Sequence, residues 1–319
     1  MADAARSTRP GSPKPSSQTV SFQIGIAILA SIVGVVATRL IAVEPRPRTI
    51  IVSIAAPSDF MTDPASPDVA ISPDGRTLAL VGARGAGPSG LWLRRLARDE
   101  VRALPGTAGA RQPFWSPDGR RLGFFAGGTM RAIEIASGTI ATLCEAPAPR
   151  GAAWGRDGIV FQPDSSGPLW SVPATGGRQS VATTLDIEAG EIDHCWPSFL
   201  PDQRHFVFAT RARDGSARAI GVGSTESKAS RMLPANGSGP VYSAGYLLTA
   251  RDGATFAQRF DPRSRTLSGA ARAVPELRAA LAGTSLRLSA SRTGTVVQSA
   301  ADPGSIATIV LDWRGLLTR

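Results

Sequence analysis

From Val69 to the C-terminus the chain is a run of short apolar stretches cut, roughly every 8 to 12 residues, by Gly, Pro, Asp or Ser, which is the spacing of an all-β array. One stretch shows the plan. "RQPFWS" is a strand, "PDG" a turn, "RRLGFFA" a second strand, "TMRAIEIA" a third and "TIATLCEA" a fourth, with Ser137-Gly138 in the last turn. The same plan gives "LWLRRL" and "VRALPG" upstream, and "PLWSVPATGG" and "ARAIGVGS" downstream.

The units repeat. Ser72-Pro73-Asp74-Gly75 returns as Ser116-Pro117-Asp118-Gly119, the turn aspartate recurs at Asp157 before Gly158 and at Asp202, and two degenerate copies surround Gly245 and Gly294. A period near 40 to 45 residues is that of propeller blades, so six units predict a six-bladed β-propeller over residues 49–319. The turn itself is structural: proline pre-sets φ at the first corner, aspartate bonds the backbone ahead, and glycine accepts positive φ. An apolar strand at residues 49–57, "TIIVSIAAP", precedes the first full unit and is placed to complete the last blade around "SIATIVLDW", which would remove an exposed sheet edge.

Upstream the pattern changes. Residues 20–43 carry an uncharged run from Phe22 to Thr38, with Arg39 near its end, and predict a single transmembrane helix. Residues 1–19 form a Pro/Ser-rich basic tail, expected to be disordered and cytoplasmic, and 44–48 a linker. The propeller is then extracytoplasmic on the inner membrane. The alternative is a secreted chain released by signal cleavage after Ala37.

Composition narrows the function. The net charge is +10, carried almost wholly by arginine, with Lys14 and Lys228 the only lysines. The arginines are spread along the chain and not clustered with aromatics, which argues against a nucleic-acid partner. Two cysteines cannot make a disulfide framework; Cys144 falls on an outer strand of the second blade and Cys195 on an inner strand of the fourth, so two free thiols are expected.

The densest reactive stretch is "EAGEIDHCWPSF", in which Glu188, Glu191, Asp193 and His194 are the candidates for a ligand or partner loop. On a regular strand Asp193 and Cys195 face one side and His194 the other, so they do not converge on a metal, and His194 and Trp196 read as packing residues. No catalytic residue, metal site or cofactor is expected. "GVGSTESK" lacks the second glycine and helix of a phosphate loop, no Gly-x-Ser-x-Gly elbow is present, and Asn236 opens a formal glycosylation sequon. Trp92, Trp115, Trp154, Trp170 and Trp196 recur by blade and are expected to pack in or between blades.

"ISPDGRTLAL", "FWSPDGRRLGFF" and "SFLPDQRHFVF" resemble the blade motif of TolB-type, WD-repeat-like β-propellers. The order of segments is similar to the extracytoplasmic propellers that follow the membrane helix in bacterial receptor-type serine/threonine kinases, although the Gly-rich ATP loop and His-Arg-Asp catalytic loop of a kinase are missing. The resemblance covers residues 50–319 and implies a sensor domain acting through lateral partners. The expected function is therefore a membrane-anchored, non-enzymatic platform for a protein or peptide. One alternative is a propeller hydrolase or lyase using Glu191 and Asp193 at the central channel; another is the remnant of a larger sensor. A channel lined by Ser, Ala and Gly favours the platform, and a cluster of acidic or His side chains at its mouth favours the enzyme.

Overall fold

A computed structural model describes residues 50–55, 60–62, 68–98, 100–278, 288–299, 305–311 and 313–318. The expected tail at 1–19, membrane helix at 20–43 and linker at 44–48 lie outside them. Among the described residues no helix is long and apolar enough to cross a membrane.

Residues 48–319 make one compact unit of six sheets. β1 (Ile50–Ala55) comes first in sequence but belongs to the last blade. Blade 1 holds β2 (Phe60–Thr62) and β3 (Val69–Ile71) end to end along β4 (Thr77–Arg84), followed by β5 (Gly90–Arg95) and β6 (Val101–Ala103). Blade 2 is β7 (Arg111–Trp115), β8 (Arg121–Ala126), β9 (Thr129–Glu134) and β10 (Ile140–Glu145). Blade 3 is β11 (Ala152–Trp154), β12 (Ile159–Phe161), β13 (Trp170–Val172) and β14 (Ser180–Val181). Blade 4 is β15 (Glu191–Phe199), β16 (His205–Ala212), β17 (Ala217–Ser224) and β18 (Ser227–Leu233). Blade 5 is β19 (Ser238–Ser243), β20 (Tyr246–Arg251), β21 (Ala254–Asp261) and β22 (Thr266–Arg278). Blade 6 is β23 (Leu288–Ala290), β24 (Val296–Ser299) and β25 (Ser305–Leu311), with β1 outermost.

The ring closes as the unpartnered upstream strand suggested: β1 runs antiparallel to β25, with Ile51 opposite Val310 and Ser53 opposite Thr308. Strand polarity explains the packing. On β8, Leu122 and Phe124 turn into the seam with blade 1 while Phe125 turns into the seam with blade 3, so successive residues bury on opposite faces. Such apolar clusters fill all six seams, and the one joining blades 6 and 1 contains Ile54, Leu78, Val297 and Ile309. Each fully buried Leu or Phe contributes roughly 2 kcal/mol from area removed from water. Gly123 is required by close approach, since a Cβ there would lie 2.2 Å from the Phe114 ring.

The blade turns follow the expected chemistry at two of the named positions and depart at a third. In blade 2 the Ser116 hydroxyl donates to Asp118 Oδ1 at 2.6 Å, the Arg120 N–H donates to the same oxygen at 3.0 Å, and Gly119 takes φ 70°. Blade 1 repeats this with Ser72, Asp74 and Gly75. In blade 4 Gln203 adopts φ 62° where the others have glycine, and Asp202 Oδ1 accepts the N–H groups of Arg204 and His205. Asp157 and Gly158 do not form an equivalent corner. Residues 155–158 bridge the paired Trp154 and Ile159, whereas 116–121 bridge Trp115 and Leu122, so the third turn is shorter and Gly158 has no positive φ.

Residues 313–318 form a 3₁₀ helix where the pattern suggested the tail of a strand. Its Trp313 is fully buried, donates from Nε1 to Ser243 Oγ at 3.0 Å, and meets Tyr246 edge-on at 5.2 Å between ring centres. Cys144 and Cys195 are both free and buried on the strands expected. Residues 221–228 form the β17–β18 hairpin.

Candidate functional site

The acidic and histidine candidates lie on β15, and the backbone decides what they can do. A regular strand sends residues three apart to opposite faces. Here Glu191 pairs with Ala212 and Asp193 with Arg211, so the bulge at Ile192 turns Glu191 onto the face of His194. The expected ligand loop therefore ends at Gly190; of its four candidates only Glu188 is exposed, while Glu191, Asp193 and His194 are buried strand residues.

Two hydrogen-bonded groups result. Glu191 Oε2 lies 3.0 Å from His194 Nε2 and accepts the Asp186 N–H at 2.8 Å. His194 Nδ1 lies 2.8 Å from Thr183 Oγ1, and that oxygen already accepts the Leu169 N–H at 2.9 Å. The Glu191 carboxylate accepts, so Nε2 carries the proton donated to it, and Nδ1 in the neutral ring accepts the Thr183 hydroxyl proton. Burial lowers the His194 pKa below its usual value, against the pull of Glu191. On the other face, Asp193 Oδ1 accepts from Gln162 Nε2 at 2.8 Å and Oδ2 lies 3.4 Å from Arg211 Nη1 and 3.8 Å from Arg150 Nε. Burial raises the Asp193 pKa despite these partners.

The hydroxyl–imidazole–carboxylate alignment has the polarity of a nucleophilic triad, but Thr183 and His194 are fully enclosed and the threonine oxygen is engaged by Leu169. What it joins is blade 3 to blade 4. The backbone continues the joint, with Gly167 donating to Ile192 O at 2.9 Å and His194 N–H to Gly167 O at 3.0 Å. The thiols are inert by environment: burial pushes Cys144 up to about 11 and Cys195 higher still. Among the described residues no three His, Cys, Asp or Glu side chains come together as a metal site.

A central cavity of about 770 Å³ is the open site. The innermost strand of every blade contributes, small residues such as Ala70, Ala152, Gly239, Ser289 and Ala290 alternating with aromatic ones such as Trp115, Trp154, Phe199 and Tyr242, and Arg156 and Arg292 also line it. Glu191, Asp193 and His194 do not line it. Its wall is held by bonds between blades: Asp68 Oδ2 accepts the Gln112 N–H at 2.7 Å, Gln112 Oε1 accepts the Gly151 N–H at 2.8 Å, and Trp196 N–H donates to Arg150 O at 3.0 Å. Gln112 and Trp196 both adopt left-handed φ, 52° and 55°, a conformation that costs of order 1–3 kcal/mol per residue and here fixes the wall.

The tryptophans divide by role. Trp115 Nε1 reaches back to Ala70 O at 3.2 Å, Trp154 lies beneath the Arg121 guanidinium at 4.6 Å, and Trp196 packs against Gly151, each from its own blade onto the preceding one. Trp115 and Trp154, with Phe199, each close an inner strand at the cavity end where the turns begin. The aromatic residue immediately before each turn was the available sequence signal for this arc.

No protein-family model matches the chain. It is similar over 146 residues, at 28% identity, to the uncharacterized peptidase YuxL of Bacillus subtilis (strain 168), covering 45% of this chain. It spans 22% of the length of that relative. Among solved structures, an oligogalacturonate lyase from Vibrio parahaemolyticus superposes with TM-score 0.50 at 10% identity, over 83% of this chain and 98% of that one. A functionally unknown protein from Desulfotomaculum acetoxidans DSM 771 gives TM-score 0.50 at 15% identity, over 73% and 78%. TolB from Acinetobacter baumannii gives 0.49 at 13% identity, over 67% of this chain and 56% of that one. These structural likenesses bear on the fold alone.

Proposed function

We propose that the chain is a membrane-anchored, non-catalytic propeller that holds a protein or peptide at its central cavity, with residues 20–43 as the anchor and the ring outside the cytoplasm. The observation that carries this reading is the cavity wall: six blades together surround a volume of ligand size with small, aromatic and arginine side chains, while the buried carboxylates and imidazole of β15 bond across the seam behind it and do not line it. A sensor role like that of kinase-linked propellers fits the same architecture.

An enzymatic reading has one observation in its favour, the Thr183–His194–Glu191 alignment, and the names lyase and peptidase occur among the similar proteins. The burial of Thr183 weighs against it. The test is a photo-crosslinking residue at Ala290 in intact cells, with the same residue at exposed Ala229 on β18 as control. The platform reading expects one protein recovered from Ala290 alone, in the membrane fraction. Equal yields from both positions would sink it, and recovery from the soluble fraction would remove the anchor.

A further inference from the structure

The central cavity of about 770 Å³ has a one-sided hydrogen-bond inventory. Three hydroxyls on its wall already accept from the protein. Ser289 Oγ takes the Ile71 N–H at 3.0 Å, Ser243 Oγ takes Trp313 Nε1–H at 3.0 Å, and Tyr242 Oη takes the Gly245 N–H at 3.1 Å. Each keeps its own hydrogen, and none donates it to another described residue. Arg156 and Arg292 stand exposed at the rim, offer donors only, and meet no acceptor side chain among the described residues. Arg121 lies across the Trp154 ring at 4.6 Å and gives Nη1–H to Ala174 O at 3.1 Å, with further N–H groups to spare.

Acceptors on the same wall are mostly spent. Asp68 Oδ2 holds the Gln112 N–H, Gln112 Oε1 holds the Gly151 N–H, and Asp118 Oδ1 holds the Ser116 hydroxyl and the Arg120 N–H. Ala70 O, Pro73 O and Leu200 O are taken by Trp115 Nε1–H, the Arg292 N–H and the Gln203 N–H. Ser198 Oγ, Gln203 Oε1 and the second Asp118 oxygen remain. The cavity therefore suits a ligand rich in acceptors and poor in donors. Its wall is also flat and apolar along one side: half-buried Trp115, Phe199 and Tyr242 come from blades 2, 4 and 5, and Trp154 of blade 3, under its guanidinium, completes the arc.

We propose that this cavity binds a proline-rich segment of a partner protein in the polyproline II conformation. A proline residue brings a carbonyl acceptor and no N–H, and this helix has no internal hydrogen bonds, so every carbonyl is open to the wall's donors. Its rings lie against aromatic side chains, the way such segments are held in aromatic-lined grooves. Donor-rich chemistries fit less well. An ordinary extended peptide brings one N–H per residue and a neutral oligosaccharide one hydrogen per hydroxyl, and each would lose its water without gaining an acceptor. A simple anion would be held at the rim by Arg156 and Arg292 and make no use of the aromatic arc. The proposal rests on the platform reading and names the partner chemistry of that same site.

The experiment titrates the full chain, purified in neutral detergent, with fluorescein-labelled decaproline, about 31 Å long in this conformation. An Ala/Ser peptide and an Asp/Glu peptide of equal length carry the same label, and maltohexaose is added as an unlabelled competitor. Decaproline binds at least about fivefold tighter than either peptide, and added salt leaves its affinity unchanged. Tyr242→Phe keeps the ring, removes the hydroxyl and weakens binding about threefold to tenfold; Phe199→Leu weakens it at least about fivefold, and Lys228→Glu on β18 has no effect. If Phe199→Leu does not fold, Tyr242→Phe and the comparison of probes carry the test. Preference for the Asp/Glu peptide with loss on adding salt marks an anion site, and displacement by maltohexaose marks a sugar site; either overturns the proposal. Equal binding of the Ala/Ser peptide, binding of no probe, or full affinity in the folded ring variants also overturns it. In each case the platform reading is decided separately, by the Ala290 crosslink.

Discussion

The seam between blades 1 and 2 and the seam between blades 3 and 4 are made from matching strands, and they differ in how much of their buried interior is polar. In the first, Ala70, Val81, Leu91, Leu122 and Phe124 pack as an unbroken apolar cluster. In the second the apolar set shrinks to Val160, Leu169, Ala182, Phe206 and Phe208, and buried Gln162, Thr183, Glu191, Asp193 and His194 occupy the remainder. An apolar seam is stabilised by area and tolerates small shifts. A polar seam is stable in one arrangement, because each buried donor must meet its acceptor. The second seam also carries the parallel bridge between Gly167 and Asp193, so it sets the position of one blade on the next as well as closing the space between them.

The difference is exposed most strongly by truncation. Phe124→Ala, at a fully buried site in the apolar seam, is expected to cost about 4 kcal/mol in urea unfolding, as for other buried phenylalanines. Asp193→Ala in the polar seam removes far less volume but leaves Gln162, Arg150 and Arg211 without their common acceptor, and is expected to cost about 3 kcal/mol. A cost for Asp193→Ala below about 1 kcal/mol would mean that the two seams are held alike.

Acid separates them further. Burial depresses the His194 pKa from its usual 6.5, and the groups facing the imidazole are Glu191, Thr183, Phe208 and, through space, Asp193. With the folded-state pKa below the unfolded one, the unfolded chain takes the proton first. Stability from this site is intact above about pH 6.5 and is lost as pH falls below that value, by about 1.4 kcal/mol per unit of depression. Asp193 acts in the opposite sense, since its raised pKa makes the folded state gain stability as pH falls toward 3.8. Melting temperatures between pH 8 and pH 5 should therefore fall in the wild type, fall equally in Phe124→Ala, and fall less in His194→Gln. A His194→Gln slope equal to that of the wild type would assign the acid sensitivity elsewhere.

Much of this ring could be read from the chain because blade geometry repeats in residues with strong local preferences. The Ser-Pro-Asp-Gly corners marked blades 1 and 2, and an apolar strand at 49–57 with no partner of its own pointed to the closure that β1 makes with β25. What escaped was backbone irregularity. Nothing in the order Glu-Ile-Asp-His announces that Ile192 bulges, yet that bulge is what brings Glu191 to His194. Asp157-Gly158 copies the letters of Asp118-Gly119 inside a shorter turn, and Gln203 takes a backbone conformation that its residue type does not advertise. The cavity arc is a property of register, visible only once Trp115, Trp154 and Phe199 occupy matching ends of three inner strands.

The smallest expected effect tests whether the contrast extends from the seams to the corners above them. Asp118 is exposed, and the Ser116 hydroxyl, helped by the Arg120 N–H, holds its pKa below the usual carboxylate value. Asp118→Ala should cost about 1 kcal/mol, the loss of those bonds offset in part by water. Asp157→Ala should stay within about 0.5 kcal/mol, as for a surface change, because no serine precedes it at the same position and its turn is closed by the Gly155 N–H to Gly158 O bond at 2.8 Å. The carboxylate pairing at Asp118 is present above pH 3.8 and lost below it, so the gap between the two variants should narrow in acid. Equal costs at neutral pH would mean that the two corners are equivalent after all, and that the shorter turn of blade 3 is a difference of length without a difference of anchoring.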